Sequence, residues 1–173
     1  MCIVVDTNTF SCVFNQKNKE HFKYSPVYDW IINKEGSLVY GGSTLISEFR
    51  GNKLNLIKLL SDKNKTVRID SKLVDKKEEQ VKMIVDDDED FDDPHIIALL
   101  QVSKCKLICT HDKRLDSFIK DQRFFKKRTI QPRIYRNKKN EHLLCRQNIG
   151  TCCDQNNKLN KNELDELVKL LNQ

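Results

Sequence analysis

The stretch Phe91–Asp112, FDDPHIIALLQVSKCKLICTHD, is typical of a helix, a short turn and a buried strand, with an acidic residue near each end. Asp93 precedes Pro94, and proline is favoured at the first helical position after an Asp cap. The residues that follow are apolar over most of the helix surface, which predicts a largely buried helix. Lys106–Cys109 is then a short apolar strand, and Asp112 follows its C-terminal end. Because ligands of an open parallel sheet collect outside the carboxyl ends of the strands, Asp112 is a candidate site residue.

Short apolar segments alternate with amphipathic helical patterns along most of the chain. Strands are predicted at residues 3–5, 37–40, 66–69 and 106–109, with a last one near 129–135 that Pro132 places at a sheet edge. Helices are predicted after Asp6 and at residues 26–33, 43–50, 53–60, 71–85, 94–102, 113–120 and 161–171, whereas residues 15–24 are predicted to be a loop. This alternation favours an α/β fold with a parallel sheet.

The pattern becomes polar and irregular after residue 137. We therefore predict a domain over residues 1–136 and a C-terminal extension over residues 137–173, which contains one short amphipathic helix.

The composition is that of a soluble protein of about one domain, with 173 residues, 38% of them hydrophobic and 32% charged. No apolar run approaches the roughly 20 residues of a membrane span. The N-terminus enters a strand without a basic, signal-like segment. We expect a cytoplasmic protein with no membrane partner, and the net charge of +6 mildly favours a polyanionic one.

Seven cysteines are present, and three of them lie in apolar strands: Cys2, Cys105 and Cys109. Free buried thiols in a reducing cytoplasm are the predicted state. Four side chains of the extension follow the spacing H-x2-C-x6-C-C, which matches no closed zinc site well: His142, Cys145, Cys152 and Cys153. Ordinary reduced cysteines are predicted there too.

Four acidic residues occupy comparable places beside these elements: Asp6, Glu48, Asp93 and Asp112. Carboxylates that converge at one sheet edge repel one another unless protons or cations neutralise them. Oxygen ligands without Cys or His favour Mg²⁺ or Mn²⁺. Such an ion lowers the pKa of a bound water and neutralises charge in the transition state, which suits phosphodiester hydrolysis.

Neighbouring residues are candidates for supporting roles. The segment Thr7–Thr9 can cap the helix after the first strand, and the side chains of Asn8 and Thr9 are placed to orient Asp6. His95 lies on a mostly apolar helix, which favours a hydrogen-bonded core histidine. His111 is a candidate for contact with a phosphate.

A dense acidic run, Asp86–Asp90, precedes the long helix. A calcium loop starting at Asp86 would place Phe91 at the required Gly position and Ile97 at the position of the bidentate Glu, so that interpretation fails. A solvated acidic loop is the simpler interpretation. The alternative is a loop that lends a carboxylate to the metal or screens the site.

The segments MCIVVDTN, STLISEF, DDPHIIAL and LICTHDKRL resemble, in order, the four acidic motifs of the PIN-domain ribonucleases. The resemblance implies a three-layer α/β/α sandwich with a five-stranded parallel sheet. It implies Mg²⁺- or Mn²⁺-dependent cleavage of RNA that leaves a 5′-phosphate. The implied catalytic metal ligands are Asp6, Glu48, Asp93 and Asp112, with Asn8 and Thr110 beside them.

Many members of that family are toxins of bacterial toxin–antitoxin pairs and are commonly dimeric. The resemblance therefore also implies a toxin role, an antitoxin protein as partner and a homodimer. The extension after residue 137 has no counterpart in the family pattern.

Two other interpretations remain open. The residues from Asp6 to Thr9 also resemble the first motif of HAD-type phosphatases, in which Asp6 would be a covalent nucleophile. In that family the general acid is an Asp two positions after the nucleophile, where this chain has Asn8. The phosphatase interpretation also leaves Glu48 and Asp93 without a role. The other interpretation is a PIN fold retained as a non-catalytic binding module for RNA or protein, which the intact acids argue against.

The segment Lys120–Lys139, KDQRFFKKRTIQPRIYRNKK, contains nine basic residues and one acid. A basic surface beside an acidic site would attract the phosphate chain that the carboxylates repel. The predicted nucleic-acid-binding residues are Lys126, Lys127, Arg128, Arg133 and Arg136. Any exposed member of three interleaved aromatic residues would be able to stack on an unpaired base: Phe124, Phe125 and Tyr135.

Overall fold

A computed structural model of the chain describes residues 2–85, 91–148, 150–153 and 158–171. Five strands form one parallel sheet: β1 (Cys2–Val5), β2 (Ser37–Gly41), β3 (Thr66–Ile69), β4 (Leu107–Cys109) and β5 (Arg133–Tyr135). Their order across the sheet is β3-β2-β1-β4-β5. The predicted parallel α/β fold, with a three-layer α/β/α architecture, is confirmed, and the strand after Pro132 lies at an edge as predicted.

The helices of the described residues are α1 (Thr7–Phe14), α2 (His21–Ile32), α3 (Ser43–Glu48), α4 (Asn52–Asp62), α5 (Ser71–Val85), α6 (Pro94–Ser103), α7 (Leu115–Lys120) and α8 (Lys161–Leu171). Two short 3-10 helices follow β5, at Lys138–Leu143 and Arg146–Asn148. None of the helices in the described ranges combines the length and the apolar character that crossing a membrane requires.

The predicted loop over residues 15–24 is wrong in its second half, because α2 begins at His21. Tyr24, Tyr28 and Ile31 recur at helical spacing and are all buried, although polar neighbours hide this pattern in the sequence. Pro26 lies inside the helix and cannot donate to the Phe22 carbonyl. That carbonyl instead accepts a hydrogen bond from the Ser25 hydroxyl at 3.3 Å.

The last strand is shorter than predicted. It covers Arg133–Tyr135, whereas Thr129 and Ile130 lie in a turn, and the Ile130 N–H donates to the Lys127 carbonyl at 3.0 Å. Ile130 is 51% exposed, so its apolar side chain does not mark a core position.

The C-terminal extension packs on the rest of the molecule. Leu143 and Leu167 belong to the same hydrophobic cluster as the fully buried residues of β1. Gly150 lies so close to the chain before β4 that a Cβ atom there would stand 2.7 Å from the Lys104 carbonyl oxygen. The extension therefore shares the core of the α/β domain.

The predictions of reduced thiols at Cys2 and at Cys153 are both wrong. Cys2 is not a free thiol but is disulfide-bonded to Cys153, with the two Cα atoms 5.7 Å apart. The bond joins residues 151 positions apart because the extension returns to the start of β1, a long-range contact that local patterns do not contain. Cys105 and Cys109 are free and buried, as predicted.

Helix α3, which carries Glu48, has its first turn capped by another helix. Its N-cap residue is Gly42, which has φ of +84° and no side chain to accept a hydrogen bond. Asp75 of α5 takes that role, because its carboxylate accepts from both the backbone N–H and the hydroxyl of Ser43, each at 2.6 Å. This contact fixes the start of α3 against α5.

We expect Asp75→Ala to lower the free energy of unfolding by about 1 kcal/mol, because the N–H and the hydroxyl of Ser43 lose their acceptor. Denaturant unfolding followed by circular dichroism measures the change. Glu79→Ala, an exposed position one turn further along α5, is the matched control and should change the free energy by less than about 0.5 kcal/mol. Equal effects of the two substitutions would contradict the capping role of Asp75.

Candidate active site

The carboxyl ends of β1 and β4 lie side by side at the centre of the sheet. β2 and β3 lie on one side of β1, and β4 and β5, which come later in the chain, lie on the other side. In open α/β sheets the crevice at such a reversal of strand order is the usual ligand site. The Asp6 N–H donates to the Cys109 carbonyl at 3.0 Å, which places Asp6 at this junction.

Asp6 caps α1 and is held by three hydrogen bonds. Its Oδ1 accepts from the Asn8 N–H at 3.2 Å, and its Oδ2 accepts from Asn8 Nδ2 and from the Thr110 hydroxyl, both at 2.6 Å. The side chain is buried, and this burial raises the pKa of Asp6 although the hydrogen bonds oppose the shift. The predicted supporting residues Asn8 and Thr110 therefore both contact Asp6.

The Thr110 hydroxyl also accepts from the Asp112 N–H at 3.0 Å, so this one side chain links the segments that follow β1 and β4. Thr9 behaves differently from the prediction. Its hydroxyl donates to the backbone carbonyls of Asp6 and Cys109, each at 3.0 Å, and so holds the two strand ends and not the Asp6 carboxylate.

Asp93 occupies the N-cap position of α6, with Pro94 as the first helical residue, as predicted. Its carboxylate makes no capping hydrogen bond. Burial, together with the negative charges of Asp6, Glu48 and Asp112, raises the pKa of Asp93 to about 6, against the opposing effect of His95. The four predicted acids therefore act on one another electrostatically at one edge of the sheet.

Glu48 is the last residue of α3 and contacts two side chains that sequence analysis did not assign to the site. Its Oε2 accepts from the Thr7 hydroxyl at 2.5 Å, and its Oε1 lies 3.4 Å from His95 Nε2. His95 is buried, as predicted, and its partner is a site carboxylate. The sequence signal for these two residues was their position: Thr7 directly follows Asp6, and His95 lies two positions after Asp93.

Asp112 differs from the other three acids because an arginine pairs with it. Its carboxylate accepts from the Arg114 backbone N–H at 2.8 Å and from Arg114 Nη2 at 3.0 Å. The hydrogen bonds and charge of Arg114 lower the pKa of Asp112. Arg114 also pairs with Asp92, so it forms a cationic rim at the acidic edge.

The spacing of the acids is wider than that of the cysteines. Among the described residues, the one group of three or more potential ligand side chains whose atoms all lie within 4.8 Å is formed by Cys2, Cys152 and Cys153. The carboxylates therefore influence one another electrostatically, but their oxygen atoms are not all within 4.8 Å of one another, as expected for like charges that repel. A cleft of about 920 Å³ is lined by residues of α1, α4 and α8 and by none of the four acids.

Arg136 has a different environment from the other predicted nucleic-acid-binding residues. Its guanidinium donates to the Asp112 carbonyl at 2.8 Å and to the Thr110 carbonyl at 3.4 Å, and it pairs with Asp116. It therefore supports the loop that carries Asp112. The other predicted basic residues are exposed: Lys126, Lys127, Arg128 and Arg133.

The stacking hypothesis for the aromatic residues is wrong. Phe124 is 5% exposed, Phe125 3% and Tyr135 0%, because all three pack into the core. His111 is exposed beside the acidic edge. The acidic run Asp86–Asp90 lies outside the described residues.

Lys53, which the sequence did not single out, lies near the acids. Its Nζ donates to the carbonyl of Thr7 at 3.1 Å, and the hydroxyl of the same Thr7 donates to Glu48.

Comparison of the chain with protein-family models, with curated proteins and with solved structures finds no match. A function must therefore be inferred from the residues of this chain and from the resemblance of its four acidic segments.

The raised pKa of Asp93 predicts a dependence of stability on pH. The folded-state pKa of about 6 exceeds the ordinary value of 3.8, so ionisation of Asp93 costs stability as pH rises through this interval. We expect Asp93→Asn to raise the free energy of unfolding by about 1–3 kcal/mol at pH 7.5 in EDTA. The difference should fall to less than about 1 kcal/mol at pH 4, where the Asp93 carboxyl is protonated in the folded protein and about half protonated in the unfolded chain.

Asp92→Asn is the control, because Asp92 is the exposed neighbouring carboxylate. Its effect should stay within about 0.5 kcal/mol at both pH values. Urea unfolding at pH 4 and pH 7.5 provides the measurement. An Asp93→Asn protein that is no more stable than the parent at pH 7.5 would show that this carboxylate is not under the electrostatic stress described.

Proposed function

We propose that this protein is a PIN-like, Mg²⁺- or Mn²⁺-dependent endoribonuclease that hydrolyses RNA phosphodiester bonds. The observation that carries the proposal is Asp93, a carboxylate without a capping hydrogen bond whose pKa is raised to about 6 by burial and by three other acids. Perturbed groups of this kind concentrate at functional sites. The family resemblance implies the same four acids as the metal ligands.

The donor set fits a hard divalent cation. Asp6, Glu48, Asp93 and Asp112 offer only carboxylate oxygens, which Mg²⁺ and Mn²⁺ prefer. Besides burial, the negative charges of Asp6, Glu48 and Asp112 raise the pKa of Asp93, and the same negative charges would stabilise a cation bound among the four acids. When bound, the ion supplies an activated water and neutralises charge on the phosphate.

The protein's own residues fix the orientation of these acids. Asn8 and Thr110 both donate to Oδ2 of Asp6 and so hold its carboxylate in one position. Thr7 orients Glu48 through a 2.5 Å hydrogen bond. Arg114 lies at the rim with half of its side chain exposed, in a place where it would contact an incoming phosphate.

RNA is the proposed substrate because exposed basic residues follow the site in the chain. Lys126, Lys127, Arg128 and Arg133 precede Arg136, whose guanidinium binds the loop of Asp112. The electrostatic attraction of a polyanion to such a surface offsets its repulsion from the acids. The toxin role, the antitoxin partner and the homodimer remain predictions that rest on the resemblance alone.

The geometry gives the phosphatase alternative less support. The phosphatase motif needs a general acid to protonate the leaving group, and an amide side chain cannot supply that proton. Asn8, at the place of the general acid of that family, donates to Asp6. A non-catalytic module is distinguished from the enzyme by the assay below.

Cleavage of a mixed RNA pool in Mn²⁺ should be abolished by each neutral amide at the four acids: Asp6→Asn, Glu48→Gln, Asp93→Asn and Asp112→Asn. We expect losses of at least about 100-fold, since each change removes charge stabilisation from the reacting phosphate. Mapped 5′ ends provide the readout, and circular dichroism confirms that the variants fold.

Asp92→Asn is the control for this series and should retain the parent's cleavage, because Asp92 pairs with Arg114 at the exposed rim. Full cleavage by two or more of the four site variants would rule out a shared four-acid site. An inactive parent protein across Mg²⁺ and Mn²⁺ would favour the binding module.

A second test concerns the basic surface. In an Asp6→Asn background that cannot cleave, the change of Lys126, Lys127 and Arg128 to Gln should weaken binding to single-stranded RNA. The log–log salt dependence of the affinity should flatten by about 0.7 for each phosphate that the variant no longer neutralises.

The matched control removes three exposed lysines from α4 and α5: Lys58, Lys72 and Lys76. It changes the net charge equally and should leave the slope near that of the parent. Fluorescence anisotropy over a salt series measures both variants. An identical loss of affinity in the two would mean that only the net charge matters and that residues 126–128 form no specific surface.

A further inference from the structure

Four cysteines meet at the end of the sheet opposite the acids. Cys2 begins β1 and Cys105 lies just before β4, so both stand at the amino ends of the central strands. Cys152 and Cys153 come from the extension. The Sγ atoms of Cys2 and Cys152 are 3.4 Å apart, those of Cys152 and Cys153 3.7 Å, and those of Cys2 and Cys105 4.0 Å.

Three of the six sulfur–sulfur separations are close to the edges of a tetrahedron around one metal ion. The Cys2–Cys153 pair is joined by the disulfide, and Cys105 lies outside the group of three cysteines whose sulfur atoms are all within 4.8 Å of one another. Reduction of the disulfide must therefore separate Cys2 from Cys153 and let Cys105 approach as the fourth ligand. A zinc–sulfur bond of about 2.3 Å places tetrahedral sulfur ligands roughly 3.8 Å apart. The three measured distances lie on both sides of this value. A set of sulfur donors without carboxylate or imidazole selects soft ions such as Zn²⁺ and discriminates against Mg²⁺ and Mn²⁺.

The backbone holds the cysteines in place. Gly150 brings the extension against the segment before β4, because a Cβ atom there would lie 3.0 Å from the Cys105 Cα atom. The Cys153 N–H donates to the Gly150 carbonyl at 3.2 Å, and the Cys105 N–H donates to the Ser103 hydroxyl at 3.1 Å. Cys152 and Cys153 are partly exposed, which leaves a route for an ion from solvent.

We propose that the reduced protein binds one Zn²⁺ through Cys2, Cys105, Cys152 and Cys153, and that this ion fastens the C-terminal extension to the sheet. A dithiol reductant first gives two electrons and two protons to the Cys2–Cys153 disulfide and becomes a disulfide itself. Zinc then replaces the four thiol protons, which pass to solvent. A disulfide oxidant that takes two electrons from Cys2 and Cys153, and is itself reduced to two thiols, re-forms their bond and removes two ligands from the ion, so the disulfide form is the metal-free form.

The proposed ligands share only Cys152 and Cys153 with the pattern H-x2-C-x6-C-C, which matched no closed zinc site well. His142 is exposed, and its Nδ1 is engaged with the Lys139 carbonyl at 3.1 Å. The Cys145 Sγ contacts Asn148 Nδ2 at 3.5 Å. The ligands proposed here come from three distant segments, which no local spacing rule brings together.

The test uses the full-length chain, reduced by a dithiol and titrated anaerobically with Co²⁺ as a spectroscopic substitute for Zn²⁺. We expect one equivalent to produce the sulfur-to-cobalt charge-transfer absorption and the visible bands of a tetrahedral site, and Zn²⁺ to displace it. Binding of Co²⁺ to the carboxylates cannot give the charge-transfer band, so the readout is independent of the proposed nuclease site.

The Cys152→Ser/Cys153→Ser variant should bind Co²⁺ at least about 100-fold more weakly, because two of four thiolates are lost. Cys152→Ser alone, which keeps both disulfide partners, should also weaken binding. Cys12→Ser/Cys145→Ser is the matched control, since both residues are partly exposed free thiols outside the cluster, and should retain full affinity.

Thermal unfolding gives a second readout: Zn²⁺ should raise the Tm of the reduced parent protein and of the control but not that of the Cys152→Ser/Cys153→Ser variant. Two outcomes overturn the proposal. One is a fully reduced parent protein that shows no stoichiometric charge-transfer band. The other is a band that persists unchanged in the Cys152→Ser/Cys153→Ser variant.

Discussion

Electrostatic repulsion among carboxylates at the carboxyl ends of β1 and β4 is the constraint that governs the surrounding structure of this protein. Buried negative charge is costly, and a chain that retains it must hold the side chains in place against their mutual repulsion. Here the Thr110 hydroxyl binds Asp6 and the Asp112 N–H together, while Asp75 anchors the helix of Glu48 from α5. The raised pKa of Asp93 has two causes, its burial and the negative charges of the other three acids.

The two ends of the sheet offer different chemistry. The carboxyl ends carry oxygen donors under mutual repulsion, whereas the amino ends carry sulfur donors from Cys2 and Cys105 that meet Cys152 and Cys153 of the extension. Hard and soft cations are sorted by such donor sets and not by affinity alone. Because the two donor sets lie at opposite ends of the strands, a structural ion and a catalytic ion would not compete for the same ligands.

Much of the fold could be predicted from the sequence because its signals are local. The Asp93-Pro94 start of α6, for example, follows from residue types and spacing alone. The contacts of Glu48 with Thr7 and of Arg114 with Asp92 could not be predicted, because they join separate elements. The sequence places Phe124 and Phe125 beside basic residues, but it does not show whether their side chains face solvent or the core. In the structure both are buried. The Cys2–Cys153 disulfide likewise depends on where the extension returns.

The central claim is that the four acids hold one metal centre, and anomalous X-ray scattering from crystals soaked in Mn²⁺ tests it most directly. Data collected at the manganese absorption edge should show an anomalous peak within coordination distance of Asp6, Glu48, Asp93 and Asp112, and the peak should vanish in Asp6→Asn crystals. Saturating Mn²⁺ that gives no peak at these carboxylates, or that gives the same peak in the variant, would contradict the account.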